Sequence, residues 1–212
     1  MAKLYFRYGA MNSGKTTGLL QTAHNYEERG QTVLIIKASI DTKGDDAVVS
    51  RLGVSRRVDL LVSASEDLGA RVREHVRARL APGSRTSLRQ AVDCILVDEA
   101  QFLTAAQVDQ LMEIVLLEEV PVLAYGIRTD FRTVSFPGSR RLLEIAHSLE
   151  ELKTICRCGR KALFSARRVA GSADSAGGFV FDGDQVAIDG AEVTYEALCG
   201  TCYLQAGGRL SG

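Results

Sequence analysis

Gly9-Ala10-Met11-Asn12-Ser13-Gly14-Lys15-Thr16 follows closely on the apolar stretch Leu4-Tyr5-Phe6 and decides the reading of this chain. The octet fits G-x-x-x-x-G-K-[ST], the phosphate-cradling P-loop. Glycines let the backbone approach a phosphate without Cβ clashes, and successive N–H groups then form an anion-binding nest. The helix that follows aims its positive dipole end at the same phosphates. Lys15 would reach the β- and γ-phosphates, and the Thr16 hydroxyl would sit on Mg²⁺. The plainer reading is a chance Gly-rich turn, but strand, loop and helix context all favour the P-loop.

Working outward, residues 3–8 read as a strand and residues 14–29 as a helix stopped by Gly30. Val33-Leu34-Ile35-Ile36 is a short continuous apolar run, the mark of a strand buried on both faces. Residues 39–59 lack a period and read as a mobile loop; residues 65–80 align Leu68, Val72, Val76 and Leu80 on one helical face. Cys94-Ile95-Leu96-Val97 is a second buried strand, and Thr104 with Gln107 forms a capping box for a helix to about Glu119. Residues 121–125 read as a strand, 126–138 as a loop, 139–149 as a helix and 152–155 as a strand. Strands alternating with helices imply a parallel sheet covered on both faces. After Cys156 short strands and polar turns replace that alternation. The expected organisation is an α/β nucleotide-binding domain over 1–153, a small domain over 154–206 and a flexible tail over 207–212.

The composition narrows the function classes. Of 212 residues 46% are hydrophobic and 25% charged, as in a globular protein, and 26 basic residues balance 26 acidic ones. That balance argues against a broad nucleic-acid surface. The N-terminus enters a strand at once, with no signal-peptide core, and no apolar run is long enough to cross a bilayer. The expected compartment is the cytoplasm, where the five cysteines stay reduced and available to a metal.

Asp98 and Glu99 close the second buried strand, where open α/β sheets bind their ligands. Asp98 is placed to hold Mg²⁺, usually through water. Adjacent residues at a strand end point different ways, so Glu99 can face a nucleophile and accept its proton. The plainer reading is an acid pair complementing the next helix dipole. Asp98-Glu99-Ala100-Gln101 also resembles the DEAD-like box of helicases, which normally need two such α/β domains where this chain has room for one.

Cys156-Arg157-Cys158 and Cys199-Gly200-Thr201-Cys202 are two close pairs suited to a structural, four-thiolate Zn²⁺ site. Four unrelated cysteines are the simpler alternative. A redox role is set aside on the expectation that the second pair does not open a helix after a strand, as in a thioredoxin-like unit. Cys94 reads as core. His24, His75 and His147 fall on expected helices and carry no role.

Together these residues resemble the zinc-bearing, P-loop thymidine kinase family, the bacterial and cytosolic kind. The likeness also takes in Lys37-Ala38-Ser39-Ile40-Asp41, Ser50-Arg51-Leu52-Gly53, Val97-Asp98-Glu99-Ala100-Gln101-Phe102 and Tyr125-Gly126-Ile127-Arg128-Thr129-Asp130-Phe131-Arg132. The resemblance implies a RecA-like P-loop sheet plus a small zinc domain with a lasso-like loop at about residues 186–195. It implies ATP- and Mg²⁺-dependent phosphorylation of the 5′-hydroxyl of thymidine, and of deoxyuridine, in pyrimidine salvage and DNA precursor synthesis. Glu99 would be the base, Thr16 and Asp98 would serve Mg²⁺, and residues 9–16 with Gln101 would hold ATP. Met11, Phe102, Ile127, Phe131, Phe136, Ile188, Asp189, Gly190, Ala191 and Tyr195 would meet the nucleoside. Phe131 and Tyr195 are expected in loops, which favours function over packing. Asp41 and Arg51 would lie near the reacting phosphates. Lys43 stands where many relatives have Arg, and residues 188–194 carry an apparent insertion. The resemblance also implies a homotetramer, with no nucleic-acid or membrane partner. Two other classes stay open: a P-loop ATPase whose zinc module binds nucleic acid, and a slow nucleotide-dependent switch.

Overall fold

The computed structural model describes residues 1–39, 47–50, 53–169, 178–185 and 193–210. Its contacts divide the chain into two units. The first comprises Met1–Tyr8, Gly14–Gly126 and Pro137–Glu150; the second comprises Gly9–Ser13, Ile127–Phe136 and Glu151–Gly212. The second unit therefore takes in Gly9–Ser13, Ile127–Phe136 and the start of its third segment from within the first 153 residues.

The first unit runs β1 (Leu4–Tyr8), α1 (Lys15–Glu27), β2 (Val33–Ser39), β3 (Ala47–Val49), β4 (Ser55–Arg57), β5 (Leu60–Ser63), α2 (Leu68–Arg79) and α3 (Leu88–Ala91). It continues through β6 (Cys94–Asp98), a 3₁₀ turn (Ala100–Phe102), α4 (Ala105–Leu117), β7 (Val122–Gly126), α5 (Pro137–Ile145) and β8 (Ser148–Glu151). The six-stranded sheet has the order β5-β2-β6-β7-β1-β8. β1 pairs with β7, β7 with β6, β6 with β2 and β2 with β5, all in parallel.

Every residue of β6 and β7 is buried, as their apolar runs require for strands covered on both faces. Alternate residues divide between the faces. Leu4, Phe6, Leu34, Ile36, Ile95, Val97, Val122 and Ala124 form one core with Val72 and Val76 of α2, Leu111 and Ile114 of α4, and Leu142 of α5. Helix α1 packs on β6 and β7 and buries Leu19, Leu20 and Ala23. It ends as expected at Gly30 (φ 73°), where the Gly30 and Gln31 amides cap the carbonyls of Glu27 and Tyr26.

Helix α4 carries the Thr104/Gln107 capping box in both directions. Gln107 does more than cap. It is 2% exposed, its Oε1 accepts the Thr104 amide at 3.0 Å, and its Nε2 donates to the carbonyls of Ser63 (2.7 Å) and Glu66 (3.0 Å). Gln107→Leu strands three backbone groups. At about 1 kcal/mol or more for each unsatisfied group, the loss should reach about 3 kcal/mol. Chemical denaturation checks it, through a lower midpoint at an unchanged slope.

Several expectations meet corrections. Residues 39–59 are not wholly loop: β3 and β4 pair antiparallel within them. The helix expected over 139–149 spans Pro137–Ile145, because the His147 amide bonds the Leu4 carbonyl and the chain then enters β8 beside β1. His147 itself is off the helix, and its Nδ1 accepts the Leu4 amide at 3.1 Å. Two short elements, β5 and α3, come without a prior reading.

In the second unit β9 (Thr154–Ile155) pairs with β10 (Lys161–Ala162), and β11 (Phe164–Val169) lies between β12 (Phe179–Val180) and β13 (Val193–Leu198), all antiparallel. Helix α6 (Gly200–Gln205) follows β13. One core cluster there joins Cys156, Ala162, Ala166, Ala197, Leu198, Cys199, Cys202 and Ala206 to Phe179 and Tyr203, with Phe164 and Phe181 packed against it. Among the described residues no helix is long and apolar enough to cross a membrane.

Candidate functional site

In the first unit Lys15 and Thr16 open the helix that follows β1, and Asp98 closes β6 with Glu99 directly after it; β7 lies between those two strands. Helix α1 starts at Lys15 behind Gly14, whose φ of 77° puts it in the left-handed region that glycine enters without strain. No side chain caps this N-terminus and no acidic residue lies in its first turn, so the helix's own first turn leaves its dipole end open to an anion.

Asp98 is 5% exposed at the end of β6, in register with Lys37 of β2. Burial, and then the neighbouring Glu99 charge, push its carboxyl up to about 7, against the opposing pull of the Glu99 amide, Lys37 and Lys15. Such a buried carboxylate is short of positive charge, which fits a divalent cation; bound cations restore the ionised form.

Glu99 sits at φ 51°, ψ 38°, a left-handed conformation in which a non-glycine residue is strained. Strain of this kind costs on the order of 1 kcal/mol and clusters at functional positions. Gln101, 2% exposed in the 3₁₀ turn, donates from Nε2 to Glu99 Oε2 at 2.5 Å. Lys15, Thr16, Asp98, Glu99 and Gln101 thus belong to one unit. Phe102, at the end of the same turn, is half-buried and packs against the main core. Cys94 is fully buried and its thiol is pushed up to about 12 by that burial, as its core reading requires.

The second unit holds Gly9–Ser13 against its own sheet. The Met11 amide donates to Ser165 Oγ at 3.0 Å, and the Ser13 amide bonds the Ala10 carbonyl at 3.3 Å. Asn12 has φ 65°, and its Nδ2 reaches the Tyr195 carbonyl at 3.5 Å. A Cβ on Gly9 would stand 2.5 Å from the Leu152 carbonyl oxygen, so only glycine fits there. Ile127, Phe131 and Phe136 are all buried in the segment Ile127–Phe136. Asp130 shapes that segment by accepting the amides of Arg132 and Val134, each at 2.9 Å. Tyr203 Oη then donates to the Phe131 carbonyl at 2.6 Å.

Tyr195 corrects its expected setting. It lies inside β13, in register with Arg167 of β11, and not in a loop. Asp41, Arg51, Ile188, Asp189, Gly190 and Ala191, with Lys43, lie outside the described residues, as does most of the expected lasso-like loop.

The four cysteine Sγ atoms, of Cys156, Cys158, Cys199 and Cys202, lie within 4.8 Å of one another. Four thiolates around a tetrahedral Zn²⁺ at ~2.3 Å would stand about 3.8 Å apart, so this cluster is able to hold a metal ion. Cys199 caps α6, accepting the Cys202 amide at 3.5 Å, and that amide holds its thiol down at about 7. Hydrogen bonds with Cys158 and Cys199 push the Cys202 thiol up to about 12, the signature of thiols crowded together. The C-x-x-C pair follows a strand, β13, and opens a helix, α6. The strand belongs to an antiparallel sheet, however, and not to a parallel βαβ unit.

Residues 2–203 match the family model described as Thymidine kinase. A thymidine kinase of Photorhabdus laumondii is 44% identical over 208 residues, covering 97% of this chain and 94% of its own. That of Mannheimia succiniciproducens is 44% identical over 211 residues, covering 99% of each. That of Idiomarina loihiensis is 45% identical over 209 residues, covering 98% of this chain and 99% of its own. Among solved structures, a DNA replication initiation factor aligns over 72% of this chain and 40% of its own, at 19% identity and a TM-score of 0.37.

Proposed function

The chain belongs to the thymidine kinase family, a family of phosphotransferases, and from that premise we propose that it transfers the γ-phosphoryl of ATP to the 5′-hydroxyl of thymidine and, as a second acceptor, deoxyuridine. The observation that carries the reading is Glu99. It is a carboxylate on a strained backbone, placed directly after a buried acid at the end of β6 and hydrogen-bonded by Gln101.

Glu99 takes the proton of the 5′-hydroxyl while the hydroxyl oxygen bonds to the γ-phosphorus. The bond from that phosphorus to the β,γ-bridging oxygen breaks, and ADP leaves. Such transfers involve little covalent work by the protein and depend on positioning and charge. The amides of residues 9–16 and the start of α1 cradle the phosphates, and Lys15 reaches the β- and γ-phosphates. Thr16 and Asp98 would hold Mg²⁺, which neutralises charge developing on the phosphates. Gln101 keeps Glu99 turned for proton transfer. Met11, Phe102, Ile127, Phe131, Phe136 and Tyr195 recognise the nucleoside. Asp41 and Arg51 assist at the phosphates, and residues 188–191 read the pyrimidine edge.

Cys156, Cys158, Cys199 and Cys202 would hold Zn²⁺ in a closed, structural site. The proposed reaction is cytoplasmic, belongs to pyrimidine salvage and is carried out by a homotetramer.

One steady-state assay tests the reaction: ADP release from ATP and Mg²⁺ with thymidine, deoxyuridine, deoxycytidine, deoxyadenosine or deoxyguanosine. Thymidine and deoxyuridine should drive turnover and the two purine nucleosides should not. Turnover driven by DNA or RNA and indifferent to nucleosides would instead favour a nucleic-acid-dependent ATPase.

A further inference from the structure

We infer that Arg167 is a positioning residue for nucleoside recognition, an inference that rests on the function proposed above. Arg167 lies on β11 and is 5% exposed. A buried cation is costly unless it is paired, and the usual partner is a carboxylate. Among the described residues no carboxylate forms an ion pair with Arg167, and its partners are neutral. Its Nε donates to Tyr195 Oη at 3.2 Å, and its Nη2 donates to the carbonyls of Asp184 at 2.8 Å and Gln185 at 3.2 Å. Its Cζ stands 3.7 Å from the centre of the Phe131 ring.

One guanidinium therefore fixes three stretches of the second unit. It covers the ring of Phe131, whose carbonyl Tyr203 already holds. It orients Tyr195, its register partner on β13. It also ties the backbone at Asp184 and Gln185. Phe131 and Tyr195 are two of the aromatics assigned to the nucleoside. Stability alone would be served as well or better by an apolar side chain of similar volume, since buried charges rarely improve on a packed core. What an apolar residue cannot supply is a planar fork that stacks and donates in several directions at once. Lysine cannot supply it either.

The test compares Arg167→Met and Arg167→Lys with the unaltered protein. Arg167→Met should raise the thymidine KM by about tenfold or more while kcat and the ATP KM stay within about threefold, the pattern of lost substrate binding. Arg167→Lys should not restore the KM, because charge without the fork leaves the contacts unmade. Should Arg167→Met fail to fold, Arg167→Lys alone decides. A thymidine KM unchanged in a folded variant overturns the inference, as do equal rises for ATP and thymidine or full rescue by lysine. An unaltered protein with no nucleoside-driven turnover defeats the proposed function instead. In that case amide exchange over residues 179–185 and 193–198 still reads the tether. Faster exchange in either variant supports it, and unchanged protection overturns it.

Discussion

Replacing Glu99 with glutamine is expected to lower kcat by at least ~10²-fold, the scale of lost general-base catalysis, while ATP binding stays intact. The substitution is close to isosteric. Glutamine meets the same left-handed backbone at φ 51°, so the strain at this position is unchanged. Its amide oxygen can still accept from Gln101 Nε2, so the contact that orients the side chain survives as well. What disappears is the ability to take a proton. The loss should fall on kcat, because an interaction realised only in the transition state leaves ground-state binding alone. Steady-state kinetics with ATP and thymidine measure kcat, and equilibrium titration with ATP checks binding. A variant with wild-type turnover would remove Glu99 from the proton-transfer role. Equal losses in kcat and ATP affinity would assign it to the nucleotide instead. The experiment also separates the rivals, since an ATPase using Glu99 to activate water would lose its basal, nucleoside-independent hydrolysis.

How far the sequence carries this picture depends on the range of the interaction. The central strands are legible because a strand covered on both faces needs an unbroken apolar run, as Cys94-Ile95-Leu96-Val97 supplies. The P-loop is legible because its glycines, lysine and threonine are local to one turn. The Thr104/Gln107 box is legible as a cap, but its bonds to the carbonyls of Ser63 and Glu66 are not, since they join segments about 40 residues apart. Short elements escape for a related reason. β5 has four residues, too few to show a period, and α3 could have been found only through its own Ser87/Gln90 capping box. Tyr195 reads as a loop residue until β13 pairs with β11, and that pairing alone brings it to Arg167. Ser165 is likewise invisible beforehand, and Lys37 stands out only as part of a matched stretch, with no role attached. Their importance comes from partners, the Met11 amide and the buried Asp98, that no local pattern announces.

The same reasoning makes the cysteine cluster the place where a single atom should matter most to folding. Cys199→Ser is expected to abolish metal binding and to unfold the second unit. Among the described residues the core cluster around these cysteines is mostly alanine and cysteine, with Phe179, Tyr203 and Leu198 inside it and Phe164 and Phe181 packed against it. Small domains of this size commonly need a staple beyond hydrophobic burial. The four thiols within 4.8 Å of one another offer that staple. Structural zinc contributes roughly 10–16 kcal/mol of binding free energy in small metal-dependent domains. That is comparable to the whole stability of an ordinary protein, about 5–15 kcal/mol. Cys199 also caps α6 through the Cys202 amide, so its replacement disturbs the turn that presents both thiols of the second pair. Elemental analysis of the unaltered protein should find about one zinc per chain, as four-thiolate coordination requires, and Cys199→Ser should find none. Amide exchange should then lose protection across β11 and β13, while the sheet built on β2, β6 and β7 keeps it. Metal-free unaltered protein with full activity would refute the assignment. So would a Cys199→Ser chain whose β11 and β13 exchange as slowly as before, because that core would then have proved sufficient by itself.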